Sequence, residues 1–282
     1  TLLCNPEGGV VDDVIVYRLK EDHFLLVVNA SNTDKVYEWI KENTRKDVSV
    51  ENTSESTAQI SLQGPMAEKA LSCVSEFNLS RLRPFFLLPG KVCGINMAIS
   101  RTGYTGEEGF EFYLNPQYAK EVFEGILDGA KNLGIKPVGL GARDTLRLEM
   151  GYPLYGAELT SETTPVEAGL KRFINFGRED FIGKDVILKQ IESGVEKKLV
   201  GFEMTEKGIA RGGYKIFNAE GEIGSVTSGT HSPTLEKAIG MGYVKTEQSE
   251  IGSEISIEIR GKQKSAVVTK RPFYKREELG TR

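Results

Sequence analysis

Two adjacent carboxylates, Asp12 and Asp13, directly precede an apolar segment near the start of the sequence. The stretch Gly8–Tyr17 reads GGVVDDVIVY, a turn followed by a hydrophobic strand. Neighbouring strand residues point to opposite faces, so one carboxylate can face solvent while the other faces whatever the strand encloses. An acid at a strand start is most often a turn or capping group. Beside an apolar pocket it can instead act as a general acid or base, or orient an NH-bearing substrate.

A third carboxylate, Glu111, lies between Phe110 and Phe112 in an apolar strand that follows the glycine-rich loop SRTGYTGEEG. The glycines let the backbone approach a ligand closely, although their spacing is not that of a phosphate-binding loop. A carboxylate in apolar surroundings needs a partner. One interpretation is an internal ion pair. The other is a carboxylate that accepts two parallel N–H bonds from a heterocycle such as a pterin.

Two candidate cationic side chains, Arg143 and Arg147, follow in the segment GLGARDTLRLEMGYPLYG, residues 139–156. Arg143 lies in the first turn of a predicted helix and Arg147 follows at the i,i+4 position, so both are expected to project from one face, with Asp144 available for a local ion pair. This pattern indicates a salt-bridged surface helix. However, a cation in the first turn opposes the helix dipole unless it serves another purpose. Tyr152, after the helix, could stack on a flat ring.

The elements that must position these residues mix strands and helices without a strict alternation. The β-rich runs are Asp13–Leu19, Phe24–Asn29, Ala58–Leu62, Met97–Arg101 and Phe110–Leu114. The helical patterns are those after Asn32 and Pro116, together with Ala67–Val74 and Ala142–Met150. The mixture predicts an α+β fold rather than a doubly wound α/β sheet.

From Leu199 to Tyr274 the sequence contains only strand-like runs separated by Gly, Asn and Ser. The six runs are Leu199–Met204, Tyr214–Phe217, Glu222–Ser228, Ala238–Val244, Glu254–Ile259 and Ser265–Thr269. Short strands at this spacing predict a small β-barrel or sandwich. We therefore predict an α+β region of two subdomains over residues 1–195, an all-β domain over 196–276 and a loose charged tail over 277–282.

Composition narrows the classes of function. The net charge of −4 argues against nucleic acid as the main partner, because phosphate binding needs clustered Lys and Arg. No apolar run approaches the roughly 18 residues of a membrane span. Cys4, Cys73 and Cys93 form no CxxC pair or zinc pattern, which indicates reduced thiols. The only histidines, His23 and His231, have neither metal-ligand spacing nor the partners of a catalytic triad. We predict no metal, no nucleic acid and no membrane partner.

Taken in order, GGVVDD, SRTGYTGEEGFE and PVGLGARDTLRLEMGYPLYG resemble the glycine cleavage T-protein family of aminomethyltransferases. Later stretches that agree are TPVEAGL (164–170), DFIGKD (180–185), GEIGSVTSGTHSPTLEKAIGMGYV (221–244) and RPFY (271–274). Any one segment is weak evidence, but the ordered set covers nearly the whole chain and is specific.

The resemblance implies a multi-domain, cloverleaf-like ring around a folate cavity, with a C-terminal barrel. Such proteins take the aminomethyl group from lipoylated H-protein, release ammonia and form 5,10-methylenetetrahydrofolate. This reaction needs a positioned carboxylate and no covalent nucleophile. The implied partner is lipoylated H-protein and the implied cosubstrate is tetrahydrofolate. We expect a monomer in a bacterial or archaeal cytoplasm, in preference to a mitochondrial matrix.

The resemblance also implies roles for particular residues. The family's essential acid, close to N10 of the folate, matches Asp13, and Asp12 is then its structural neighbour. The pterin-binding Glu and Arg match Glu111 and Arg143. The remaining matches to positions that line the folate cavity are Tyr17, Asn29, Tyr104 and Tyr152.

Two related classes remain as alternatives. Folate-binding relatives in iron–sulfur assembly or tRNA modification carry a KGCxxGQE-type stretch, whereas residues 178–185 here read REDFIGKD without a cysteine. The folate domain of a dimethylglycine or sarcosine oxidase would require a fused flavin domain upstream. The family's N-terminal segment, with Gly-Trp and Ser-His-Met-Gly type stretches, precedes the position where this chain begins. We therefore expect part of the cavity wall to be absent from this chain, and we assign the function to the parent protein.

Overall fold

The structure, a computed structural model, describes residues 1–177 and 180–276. These residues form two compact units. Of the described residues, one unit contains Thr1–Asn32 and 144–276, and the other contains Thr33–Arg143. The predicted tail and the first two residues of the REDFIGKD stretch lie outside the described residues. The predicted domain boundary at residues 195/196 stays a prediction.

Two antiparallel strand pairs begin the first unit. They are β1 (Leu2–Cys4) with β2 (Val10–Asp13), and β3 (Ile15–Arg18) with β4 (Phe24–Val27). The predicted β-rich runs Asp13–Leu19 and Phe24–Asn29 therefore form an antiparallel pair, but the first strand of this pair begins at Ile15. Asp12 and Asp13 instead end β2, because Asp12 pairs with Leu3 and Asp13 with Leu2 of β1.

The second unit contains a four-stranded antiparallel sheet. In chain order its elements are α1 (Thr33–Asn43), β5 (Ala58–Gln63), α2 (Ala67–Ser72), β6 (Leu87–Val92), β7 (Ile95–Ser100), β8 (Gly109–Leu114) and α3 (Ala119–Gly129). The strand order is β5-β8-β7-β6. The sequence did not predict β6, since Pro89 and Gly90 interrupt its pattern, and a proline is tolerated there because β6 is an edge strand.

The period-two alternation of β8 gives this sheet one apolar and one polar face. Phe110 and Phe112 are fully buried and belong to the same core as Val122 of α3. Glu111, on the opposite face, pairs with Ser61 of β5 and with Ser100 of β7. The strand register therefore places the carboxylate in a row of polar side chains.

The rest of the chain adds two helices and a closed barrel. The elements are α4 (Leu140–Glu149), α5 (Lys184–Ser193), β9 (Lys197–Met204), β10 (Lys215–Asn218), β11 (Gly221–Ser232), β12 (Lys237–Lys245), β13 (Glu254–Ile259) and β14 (Lys262–Thr269). The barrel closes in the order β10-β11-β12-β9-β14-β13, around fully buried residues such as Phe202, Ile216 and Ile257. The predicted α+β class and the C-terminal β-barrel are confirmed.

Helix α5 was missed, because its β-branched Val186 and Ile187 favour a strand and only Ile187 is buried. Within residues 1–177 and 180–276, none of the helices combines the length and apolar character needed to cross a membrane.

Candidate active site

Asp12 and Asp13 are brought together by the side-chain amide of Asn29. Asn29 Nδ2 donates to Asp12 Oδ1 at 2.8 Å and to Asp13 Oδ1 at 2.9 Å, and the Asn29 backbone N–H donates to Asp12 Oδ2 at 3.0 Å. Asn32 Nδ2 adds a further bond to Asp12 Oδ1 at 2.8 Å. Neither carboxylate is fully exposed to solvent, and Asp13 is the more exposed of the two. Asp12 is fully buried, since these N–H donors compensate for its lost hydration.

Asp13 is half-buried and has a different electrostatic environment from Asp12. Burial raises the pKa of Asp13 to about 6, the bond from Asn29 opposes this rise, and the negative charge of Asp12 adds to it. A carboxyl group that titrates near neutral pH is well matched to proton transfer under physiological conditions. Asp12 thus holds the loop after β4 in place, while Asp13 is the member of the pair whose pKa burial raises.

We expect the stability of the chain to fall as pH rises through the titration of Asp13. Its folded pKa is about 6, against an ordinary value of 3.8. Between these values the folded state binds more protons than the unfolded state, so the free energy of unfolding decreases with rising pH. Asp13→Asn should remove this pH dependence and raise the unfolding free energy at neutral pH by about 1–2 kcal/mol, because water screens part of the full effect. Urea unfolding from pH 4 to pH 8 measures it.

The control for this experiment is Asp22→Asn, which changes an exposed acid in the turn between β3 and β4. It should keep the slope of the unmodified chain. If Asp13→Asn also kept that slope between pH 4 and pH 6, the raised pKa of Asp13 would be refuted.

Glu111 lies on the polar face of the four-stranded sheet and is 7% exposed. Gln59 Nε2 donates to its Oε1 at 2.8 Å, and Thr102 Oγ1 donates to its Oε2 at 2.6 Å. Tyr113 donates to the same Oε2 at 3.4 Å, and Ser100 Oγ lies 2.6 Å from Thr102 Oγ1. The ion-pair interpretation is wrong for the described part of the chain, where no cation forms a salt bridge with this carboxylate. Neutral donors orient it instead.

Arg143 and Tyr104, both predicted from the sequence, are in contact. The guanidinium carbon lies 4.8 Å from the centroid of the Tyr104 ring, a cation–π arrangement. Arg143 is exposed in the first turn of α4, and Tyr104 is half-buried in the loop before β8. The aromatic ring face thus stabilises the Arg143 guanidinium at the N-terminal end of α4, where the helix dipole disfavours a positive charge.

Arg147 differs from Arg143, and the prediction that both project from one exposed helix face is wrong. Arg147 is 2% exposed and forms an ion pair of 2.7 Å with the fully buried Glu158. It also donates to Asp144 Oδ1 at 2.8 Å, as predicted, and to Ser228 Oγ of the barrel at 2.7 Å. A buried charge requires such pairing, so this face of α4 is structural.

The sequence analysis overlooked the network around Glu158. Its Oε2 accepts from Arg147 and from the backbone N–H of Leu154, and its Oε1 accepts from Thr227 Oγ1 at 2.6 Å. The signal that could have revealed it is an acid directly before the apolar Leu159, the same kind of signal that identified Glu111.

The two remaining predicted residues are tyrosines of the first unit. Tyr17 lies on β3 and is 5% exposed. Tyr152 follows α4 and is half-buried, and its backbone carbonyl accepts from Arg147 Nη1 at 3.0 Å. The structure therefore ties the position of Tyr152 to the buried Arg147 network.

The thiol groups and candidate metal ligands add no further site. Cys4 is buried, and burial raises its pKa to about 11, whereas Cys73 is exposed; neither these nor Cys93 forms a disulfide. In the part of the chain that the structure describes, no group of three or more His, Cys, Asp or Glu side chains could hold a metal ion.

Comparison with known protein families gives two matches that together cover most of the chain. Residues 1–178 match the GCVT N-terminal domain, and residues 197–275 match the glycine cleavage T-protein C-terminal barrel domain. The second match coincides with the six-stranded barrel.

Individual relatives agree. An aminomethyltransferase of Desulforamulus reducens is 48% identical over 275 residues, which are 98% of this chain and 76% of the relative. One of a Thermoanaerobacter species is 47% identical over 278 residues, with the same coverage of both chains. The crystal structure of the glycine cleavage system aminomethyltransferase T of Bartonella henselae matches with a TM-score of 0.87 at 31% identity, over 97% of this chain and 74% of that one. The chain belongs to the glycine cleavage T-protein family of aminomethyltransferases, which use tetrahydrofolate as substrate.

Proposed function

We propose that Asp13 is the acid–base group of the reaction that this family performs, in which the methylene carbon of the aminomethyl group on lipoylated H-protein passes to tetrahydrofolate and ammonia is released. The observation that carries this proposal is the half-buried Asp13 carboxylate, held by Asn29 and titrating near pH 6.

The chemistry needs one positioned carboxylate. Ammonia leaves the aminomethyl carbon, whose positive charge the lipoyl sulfur stabilises, and N10 of the folate attacks this carbon. The C–S bond then breaks, which returns the lipoyl sulfur as a thiol, and N5 bonds to the carbon to complete the methylene bridge. Ionised Asp13 can stabilise the positive charge that develops and accept the proton that N10 loses. Asn29 restricts the Asp13 side chain to one orientation, so little reorganisation is needed at the moment of reaction.

We propose that Glu111, Arg143 and Tyr104 bind the pterin end of tetrahydrofolate. Glu111 presents two carboxylate oxygens on a polar sheet face, where they suit the parallel N–H groups of a pterin. The stacked pair of Arg143 and Tyr104 offers a cation and an aromatic face suited to a flat ring. Asn29, Tyr17 and Tyr152 are assigned to the remaining contacts with the folate.

We expect Glu111→Gln and Arg143→Ala each to raise the Kd for tetrahydrofolate by about 10- to 100-fold, because each removes a charge-assisted hydrogen bond or a stacked cation. Isothermal titration calorimetry measures the Kd. Glu121→Gln, which alters an exposed acid on α3, is the matched control and should bind as the unmodified chain does. Unchanged titration curves for both site variants would refute the pterin assignment.

We propose lipoylated H-protein as the partner and the bacterial cytoplasm as the setting, since the relatives reported above are bacterial aminomethyltransferases. The decisive experiment mixes aminomethylated H-protein, tetrahydrofolate and this protein, and measures ammonia and methylenetetrahydrofolate. Stoichiometric appearance of both products supports the proposal. Folate binding without ammonia release would instead support a folate-binding relative that performs no aminomethyl transfer.

A further inference from the structure

The side chain of Gln63, at the end of β5, lies against Gly103 and Gly109, the glycines on either side of Tyr104. We define the Tyr104 loop as residues 101–108. A methyl group placed on Gly103 would lie 1.8 Å from Gln63 Oε1, and one placed on Gly109 would lie 2.2 Å from the same atom. Both distances are far inside van der Waals contact. A side chain at either position would therefore require the amide of Gln63 to move.

Gln63 also forms hydrogen bonds with the loop that it contacts. Gln63 Nε2 donates to the backbone carbonyl of Thr102 at 3.1 Å, and Thr105 Oγ1 donates to Gln63 Oε1 at 3.1 Å. The backbone N–H of Gly64, the next residue, donates to the carbonyl of Glu108 at 2.8 Å. One side chain and its neighbour thus hold the loop at both ends and near its centre.

Gly103 and Gly109 serve this contact rather than an unusual backbone conformation. Neither Gly103 nor Gly109 has a φ in the left-handed region, whereas Gly106, at the tip, has a φ of +77°. A glycine that is not needed for its backbone angle is needed for space. The sequence feature first interpreted as close approach to a ligand is, at these two positions, close approach to Gln63.

We propose that Gln63 is a positioning residue for folate, a proposal that rests on the assignment of Glu111, Arg143 and Tyr104 to the pterin. The loop that Gln63 holds carries Tyr104, whose ring lies under Arg143. It also carries Thr102, whose hydroxyl donates to Glu111. Gln63 itself bonds to neither Glu111 nor Arg143, so it acts by fixing the loop that aligns them.

The test compares Gln63→Ala and Gly103→Ala singly and together, by hydrogen exchange without ligand and by folate kinetics. In Gln63→Ala, exchange of the amides in residues 102–108 should rise by about tenfold or more, because the loop loses its hydrogen bonds to Gln63. The KM for tetrahydrofolate should rise by about tenfold with kcat within about twofold, since binding alignment and not proton transfer is affected.

Rescue distinguishes the contact from a general loss of stability. Gly103→Ala should lower tetrahydrofolate affinity by about tenfold or more when Gln63 is present, and by less than about twofold in the Gln63→Ala background, where the clash is gone. Additive effects of the two substitutions would overturn the proposal. Gln117→Ala, an exposed glutamine before α3, is the matched control for both measurements.

Failure of this proposal and failure of the proposed function give different results. Unchanged loop exchange in Gln63→Ala overturns the positioning role, whatever folate does. If Glu111→Gln lowers the affinity for folate, raised loop exchange in Gln63→Ala with an unchanged KM for tetrahydrofolate also overturns the positioning role. Raised exchange with no folate response to either Gln63→Ala or Glu111→Gln overturns the pterin assignment on which the proposal rests.

Discussion

Asp13→Asn is expected to lower the rate of aminomethyl transfer by about 10²- to 10⁴-fold, the usual contribution of a positioned acid–base group. The amide has the size of the carboxylate, and its oxygen can still accept the bond from Asn29 Nδ2. It can neither take a proton from N10 nor stabilise a developing cation. The Kd for tetrahydrofolate should therefore change by less than about threefold. Ammonia release under single-turnover conditions, with calorimetry for the Kd, measures the two quantities.

The pH dependence of the same reaction adds a second test of Asp13. If the ionised carboxylate is the active form, the transfer rate of the unmodified protein falls as pH drops through about 6, and this acid limb is absent from Asp13→Asn. Asp22→Asn should retain both rate and profile. Lost folate binding with unchanged turnover per bound folate would contradict the catalytic role and make Asp13 a binding residue.

Arg147→Met is expected to reduce the free energy of unfolding by about 3–5 kcal/mol, because it leaves the carboxylate of Glu158 buried without its counter-charge. Glu158 would keep its bonds from Leu154 and Thr227, but these neutral donors do not balance a full charge in the interior. The bond from Arg147 to Ser228 of the barrel would also be lost. Urea unfolding monitored by circular dichroism measures the change.

Two further variants make this second prediction specific. The double variant Arg147→Met with Glu158→Gln removes both charges and should recover a large part of the loss. Arg45→Met breaks an ion pair with Asp47 in which both side chains are mostly exposed, and should cost less than about 1 kcal/mol. Equal losses for Arg147→Met and Arg45→Met would show that the buried network is not a main source of stability.

The fold could be predicted where local periodicity is strong. All six barrel strands were identified, and Glu254–Ile259 matched at both ends, because short alternating runs between turn residues need no distant partner to be recognised. Strand β6 and helix α5 were missed because the residue types in each segment disfavour the secondary structure that it adopts. Pro89 and Gly90 are unfavourable in a strand, and the β-branched Val186 and Ile187 lie in the first turn of α5. Tertiary packing outweighs both preferences.

The candidate site shows the same division. The Asp12–Asp13 pair, Glu111 and Arg143 could be picked out from the sequence, because a charge beside apolar residues or at the N-terminal end of a helix stands out against its surroundings. The choice of Asp13 within its pair came from the family resemblance. The partners of these residues were not. Thr102 lies nine residues from Glu111 in sequence, and Gln59 lies 52 residues away. Polar residues such as these have no sequence pattern that distinguishes them from surface positions.

The sequence by itself determined the family, the α+β class with its C-terminal barrel, and the residue types available for chemistry, since these depend on local order and composition. Only the tertiary structure decided how deeply each charged side chain is buried and which partners it has. Asp12 and Asp13 are adjacent and identical in type, yet one is fully buried among N–H donors and the other is half-buried with a raised pKa. Likewise Arg143 stacks on a ring while Arg147 is buried with Glu158. The physical reason is that desolvation and hydrogen-bond partners, which set a pKa and a role, come from residues distant in the chain.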